Sequence, residues 1–113
     1  MGESYKMVYD EGLDNWVRGT KDTTDDTTFA AVADSAASQT LLAANASRVK
    51  AIITNDSTAR LYVHFKAEAA STTNYGVSLA QHETWEEWHY RGEIRGIWGS
   101  DPGDGAARVT EFV

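Results

Sequence analysis

Residues 49–65 read VKAIITNDSTARLYVHF, and the fold class turns on this stretch. The run VKAIIT (49–54) is rich in β-branched residues and sets Ile52 beside Ile53, a pairing that suits a strand packed on both faces. Asn55-Asp56-Ser57-Thr58 is a concentrated turn signal, because Asn, Asp and Ser side chains bond to backbone groups two residues on. RLYVHF (60–65) then puts Leu61, Val63 and Phe65 on one face of a strand and Tyr62 and His64 on the other. Two strand-like runs joined by a short Asn/Asp turn predict a β-hairpin.

The same pattern extends outward. Residues 39–43 form an earlier run that ends at Ala44-Asn45-Ala46-Ser47. Residues 75–79 form a later one, with Tyr75, Val77 and Leu79 alternating. TWEEWHY (84–90) is a fifth run, in which Trp85 and Trp88 are oddly spaced for one strand face, so a bulge at Glu86-Glu87 is needed to turn both inward. EIRGIW (93–98) and ARVTEF (107–112) are the sixth and seventh, linked through Asp101-Pro102-Gly103-Asp104-Gly105. Short runs broken by turn residues every eight to twelve positions are the signature of a sandwich or barrel. The expectation is an all-β protein: a compact antiparallel β-sandwich, jelly-roll-like, of about seven strands, spanning residues 38–113.

An extended N-terminal arm is expected before it, over residues 1–37. That segment holds eight acids against three bases, and KDTTDDTT (21–28) is a polar tract with little reason to pack. Residues 29–37 are Ala-rich and suggest one or two helical turns. Tyr5, Tyr9, Leu13, Trp16 and Phe29 are isolated apolar residues in this acidic setting. Solvated tails rarely carry so much apolar area, so these five are the candidate anchors to a protein partner.

Composition narrows the function classes. The chain has 113 residues, 42% of them hydrophobic and 24% charged, values that suit one globular domain. No run approaches the roughly 18 apolar residues of a spanning helix, and no secretory signal is read at the start, so synthesis in a cytoplasm and no membrane partner are expected. With no cysteine, disulfides, thiolate metal sites and thiol nucleophiles are absent. A net charge of -7 repels a phosphate backbone, which argues against nucleic acid as a partner. Surface scaling gives a chain of this mass roughly 65% burial of its unfolded surface, near the low end for independent stability, so a homo-oligomer or a host surface is expected to complete it.

Chemistry-bearing patterns are weak. His64, His82 and His89 show no His-x-His spacing, so no metal is expected, although a cupin-like metal centre is the third reading of the chain. His82-Glu83-Thr84-Trp85-Glu86 lacks the second histidine of a zinc-protease helix, and the glutamates of 83–93 read as a solvated face rather than a glycosidase pair. Asp56, Asp101 and Asp104 lie in turns that are commoner as plain turns than as calcium loops. Neither a nucleophile elbow nor a phosphate loop is present. No enzymatic role and no cofactor are expected. The aromatic residues Trp85, Trp88, Tyr90 and Trp98 are the one concentration above expectation. They divide between core filler, protein interface and sugar platform, and Trp85, Trp88 and Tyr90 are the candidate exposed set.

The order Ser38-Gln39-Thr40-Leu41-Leu42-Ala43-Ala44-Asn45-Ala46-Ser47-Arg48, then Ile52-Ile53-Thr54-Asn55-Asp56-Ser57, then Leu61-Tyr62-Val63, resembles small β-sandwich structural proteins of tailed-bacteriophage virions. The ending Gly92-Glu93-Ile94-Arg95-Gly96-Ile97-Trp98 and Gly105-Ala106-Ala107-Arg108-Val109-Thr110-Glu111 is similar to the same group. The likeness covers residues 38–113 and departs at residues 81–90, where such chains tend to have a Gly-rich turn and a less charged strand. It implies a virion structural protein: a capsid decoration (cement) protein on the outer capsid surface, with the major capsid protein as partner, the arm as the docking element and self-association into a homo-oligomer, a trimer being favoured. The alternative it implies is a head-fibre or tail-tip module whose Trp85, Trp88 and Tyr90 stack on host-surface glycans.

Overall fold

A computed structural model describes residues 27–113. Eight strands follow in chain order: β1 (Thr27–Ala33), β2 (Gln39–Leu42), β3 (Lys50–Asp56), β4 (Leu61–His64), β5 (Val77–Leu79), β6 (Thr84–Glu87), β7 (Ile94–Trp98) and β8 (Ala106–Phe112). They form two four-stranded antiparallel sheets, ordered β1-β8-β3-β6 and β2-β7-β4-β5. The all-β antiparallel sandwich is therefore as expected. Its pairs are nested: first with last, second with seventh, third with sixth, fourth with fifth. Only β4 and β5 are consecutive neighbours within one sheet; every other connection passes between sheets.

That crossing corrects the hairpin expected at residues 49–65. The chain does reverse after β3, but it bends at residues 57–59 rather than 55–58, and β3 and β4 belong to different sheets. Asn55 and Asp56 are still strand residues, paired across β8 to Ala107 and Ala106, and the chain leaves the sheet only after them. A turn signal reports a reversal of direction, and a reversal between layers satisfies it as well as one within a sheet. The idea that β3 packs on both faces is corrected too. Ala51, Ile53 and Asn55 are buried while Lys50, Ile52 and Thr54 lie on the outer, partly exposed face, the period-two pattern of a sheet with one covered side.

A second correction concerns residues 29–37, read as helical turns. Thr27–Ala33 is a strand, matched residue for residue with β8 from Thr27↔Phe112 to Ala33↔Ala106. Alanine favours helix in isolation, and the seven-residue ladder on β8 overrides it. β1 stops at Asp34, whose backbone N–H donates to the Gly105 carbonyl.

Inward residues of both sheets fill one core: Ala51, Ile53, Ala107 and Val109 from the first, Leu41, Leu61, Val63, Leu79, Ile94 and Trp98 from the second. Polar clusters tie the connections at each end. At one end Arg48 is 1% exposed and donates from Nε to Glu111 (2.8 Å), from Nη1 to the Tyr90 and Gly92 carbonyls, and from Nη2 to the Ala43 carbonyl (2.6 Å). One guanidinium thus holds the β2–β3 loop, the β6–β7 loop and the end of β8 together. At the other end the buried Ser57 hydroxyl donates to Asp34 (2.8 Å), which also accepts the Gly105 N–H, and the Thr58 hydroxyl donates to Asp104 (2.6 Å).

Candidate functional site

Strand alternation builds the surface that stands out. Val109 and Ala107 point inward from β8, so Arg108, Thr110 and Phe112 point outward, and the register carries their partners with them. One row across the outer face of the first sheet runs Phe29, Thr110, Ile52, Glu86; the next runs Ala31, Arg108, Thr54, Thr84. Phe29 is 79% exposed, the most exposed large apolar side chain of the described residues. Farther along the face, the Lys50 ammonium sits 4.3 Å from the Trp88 ring centroid and 5.5 Å from that of Phe112, and 3.5 Å from a Glu86 carboxylate oxygen. Arg108 pairs with Asp56 at 3.3 Å, so the cations of the face are matched locally. The result is an aromatic-bearing sheet surface of balanced charge, a composition suited to protein contact.

The candidate residues of the sequence are distributed as follows. Tyr5, Tyr9, Leu13 and Trp16 lie outside the described residues. Phe29 belongs to the outer face just described. Trp88 reaches the far end of that face beside Lys50 and is 53% exposed. Trp85 takes the opposite side of β6, in register with the buried Ile53, yet remains 37% exposed at the sheet edge, its indole N–H donating to Glu87 at 3.1 Å. Tyr90 is half-buried and packs edge-on against Phe65, with centroids 5.8 Å apart. The three aromatics of residues 84–90 therefore make no common platform, and Trp85 and Trp88 are not both turned inward by a bulge. Trp98 alone of the four is core.

Glu87 organises this corner. Burial pushes its carboxyl upward, but hydrogen bonds from the Trp85 indole and from the His89 and Tyr90 backbone N–H groups, with the nearby His89 ring, outweigh that and hold it below the ordinary 4.5. Glu93 is likewise held low, by the Arg95 guanidinium (2.7 Å) and then by the Thr40 hydroxyl. Asp104 is held low chiefly by the Thr58 hydroxyl.

The three histidines sit apart, His64 on β4, His82 in the turn before β6 and His89 just after it, and among the described residues no three His, Asp or Glu side chains gather as a metal-ligand set. His82 holds a left-handed backbone (φ 70°) and lies 3.7 Å from Asp56. A shallow hollow of about 240 Å³ beside His64 is lined by Phe65, Lys66, Asn74, Tyr75 and Gly76. His64 Nδ1 faces the protein without a hydrogen-bond partner.

No family model, no curated protein and no solved structure matches the chain. Sequence reasoning missed Lys50, Ile52, Arg108 and Phe112 as surface-forming residues. The signal was present in the inward alternation of Ala107 and Val109, which assigns the intervening side chains to the other face.

Proposed function

We propose that this chain is a structural protein of a tailed-bacteriophage virion, and within that class a capsid decoration protein that binds the outer capsid surface and stabilises the shell. The observation that carries the reading is Phe29: a large apolar side chain, 79% exposed, on the first strand of the sandwich and close in sequence to the acidic, aromatic-bearing residues 1–26. In this reading Tyr5, Tyr9, Leu13, Trp16 and Phe29 are the docking residues, and Phe29 lies on the outer face of the first sheet. The nested strand pairing supports a jelly-roll reading, an architecture that capsid proteins share with lectins and cupins. The most buried polar groups support a structural role, because Arg48, Asn55, Ser57 and Asp34 are occupied in joining loops and strands.

The partner in this reading is the major capsid protein. Contacts that exist only in the assembled shell stabilise it as a ligand stabilises a folded state. Shells carrying the protein should resist heat or osmotic shock better than shells without it, and equal resistance would remove the cement role. The alternative, a head-fibre or tail-tip module binding host glycans, rests on Trp88, since Trp85 and Tyr90 are turned elsewhere. It requires Trp88→Ala to abolish cell binding while shell attachment persists.

A further inference from the structure

The outer face of the second sheet carries a hollow that the docking face does not use. Leu61 and Val63 point inward from β4, so Tyr62 and His64 point outward, and the chain returning into β5 brings Tyr75 and Gly76 beside them. The space between, about 240 Å³, is lined by His64, Phe65, Lys66, Asn74, Tyr75 and Gly76. Its wall is held by the sheet. The Gly76 N–H donates to the Val63 carbonyl at 2.8 Å, and a Cβ at this position would fall 2.6 Å from the Phe65 ring, so glycine lets the chain close onto β4. The Tyr75 ring meets the Tyr62 ring edge-on, with centroids 4.8 Å apart, and Tyr75 remains 43% exposed.

We propose that this hollow binds a pyranose sugar that carries a carboxylate. Charge sets the acid. Lys66 is the only formally charged residue of the lining, and among the described residues no carboxylate pairs with it and no hydrogen bond engages it. By contrast Arg48, Lys50, Arg95 and Arg108 are each paired to an acid, and Arg60 and Arg91 are held by the Ser78 hydroxyl and the Arg48 carbonyl. Glu68, the acid nearest to Lys66 in sequence, is not part of the lining. On a chain of net charge -7, a cation with no acid beside it is a local exception, and an anion is the ligand it attracts. Shape and size set the sugar. The braced, exposed Tyr75 ring offers an apolar face to the C–H side of a pyranose, and the Asn74 amide offers both a donor and an acceptor to its hydroxyls. The volume is below the roughly 300–1,000 Å³ of sites for drug-sized ligands, which suits one ring. Nδ1 of His64 is buried, so Nε2 is the one nitrogen of that ring a ligand can reach. Phe29 lies on the other sheet, so a copy docked on a capsid through the first sheet leaves the hollow open, and the proposal does not rest on that docking.

Titration of the purified full chain with methyl glucuronide and methyl glucoside, followed by amide chemical shifts, tests this without any virion component. Methyl glucuronide is expected to give saturable shifts at Lys66, Asn74, Tyr75 and Gly76 with a dissociation constant of about 1 mM, ordinary for a ligand of this size. Methyl glucoside, the same ring without the charge, is expected to bind at least about threefold more weakly. Lys66→Met should erase that preference. Arg60→Met, which removes one positive charge at the other end of β4, should keep it. Tyr75→Ala should weaken both sugars by about threefold or more. If Tyr75→Ala fails to fold, Lys66→Met decides, because its side chain is exposed. Acetate supplies the charge without the ring. Acetate binding as tightly as methyl glucuronide would reduce the hollow to an adventitious anion site and overturn the proposal, as would equal affinity for the two sugars, an unchanged preference in Lys66→Met, or the absence of saturable shifts.

Discussion

Trp98 and Asn55 meet at the centre of the sandwich, where the indole N–H donates to Asn55 Oδ1 at 3.1 Å with both residues buried. The amide completes its own requirements by donating to the Ala59 and Leu79 carbonyls at 2.8 and 2.9 Å. One side chain on β3 therefore binds β7, the end of β5 and the chain entering β4, which is how a strand of one sheet is locked to its neighbours in the other. Replacing Asn55 by Leu leaves an indole N–H and two carbonyls buried without partners. A loss of about 4 kcal/mol is expected, read as a lower urea midpoint at unchanged slope. A buried polar group left unpaired costs about 1–3 kcal/mol, so a total change under about 1 kcal/mol would show that water replaces the amide.

Arg48 offers a contrast between removing a charge and removing its partner. Arg48→Met strips donors from Glu111 and from three carbonyls while preserving much of the packing, and a loss of about 3–5 kcal/mol is expected. Glu111→Gln keeps an oxygen to accept from Nε and leaves the carbonyl contacts intact. About 1 kcal/mol is expected there. Equal losses in the two variants would mean that the ion pair, not the carbonyl cage, holds this end of the sandwich.

Acid should destabilise the protein through carboxyls whose ionised forms the fold favours. Glu87, Glu93 and Asp104 all lie below their ordinary values in the native state, so the unfolded chain takes up protons first as pH falls. Their contribution is present at neutral pH, begins to fade near the ordinary 4.5 of a glutamate and is lost as pH drops through the lowered native values. Urea midpoints measured from neutral pH downward should fall in that acid window. Glu87→Gln should flatten the fall, and an unchanged pH profile in the variant would exclude Glu87 as a contributor.

Two glycines separate backbone crowding from side-chain crowding. A Cβ on Gly105 would collide with the Asp56 carbonyl oxygen and the Ser57 backbone, where the β8 entry passes the end of β3, and neither strand can withdraw without losing its ladder. A Cβ on Gly96 would meet the Leu41 and Leu61 side-chain ends at 2.9 and 3.0 Å, which can rotate aside. Gly105→Ala is expected to cost about 3 kcal/mol or more and Gly96→Ala about 1–2 kcal/mol, both in line with overpacked sites. Thermal unfolding of the two variants should rank them in that order.

The sequence pattern located seven of the eight strands because strand content is a local property of alternation and turn residues. Which strands share a sheet is not local, and the 49–65 stretch shows why. Asn55, counted as a turn former, spends its side chain inside the core, and nothing in its own neighbourhood reveals that Leu79 and Trp98 will surround it. β1 escaped notice for the opposite reason: its alanines carry a helical preference, and only the partner strand, more than seventy positions away in sequence, makes it extended. Trp85, Trp88 and Trp98 were equivalent by composition. Their fates differ because Trp98 lies on an inner strand of its sheet and the other two lie on or just past the edge strand β6. Position within the sheet, rather than residue type, decided which became core.

The pairing of Lys50 with Trp88 decides how free the outer face is to bind. An ammonium over an exposed indole contributes about 0.5–1 kcal/mol, and Glu86 at 3.5 Å competes for the same charge. Trp88→Ala should therefore lower stability by about 1 kcal/mol or less, and a double-mutant cycle with Lys50→Met should give a coupling of about 0.5 kcal/mol. A coupling of that size leaves the indole available to a partner at little cost in folding free energy. A coupling above about 2 kcal/mol, the level of a desolvated cation–π pair, would make Trp88 part of the folded scaffold and withdraw it from both the capsid-facing and the glycan-binding readings of this surface.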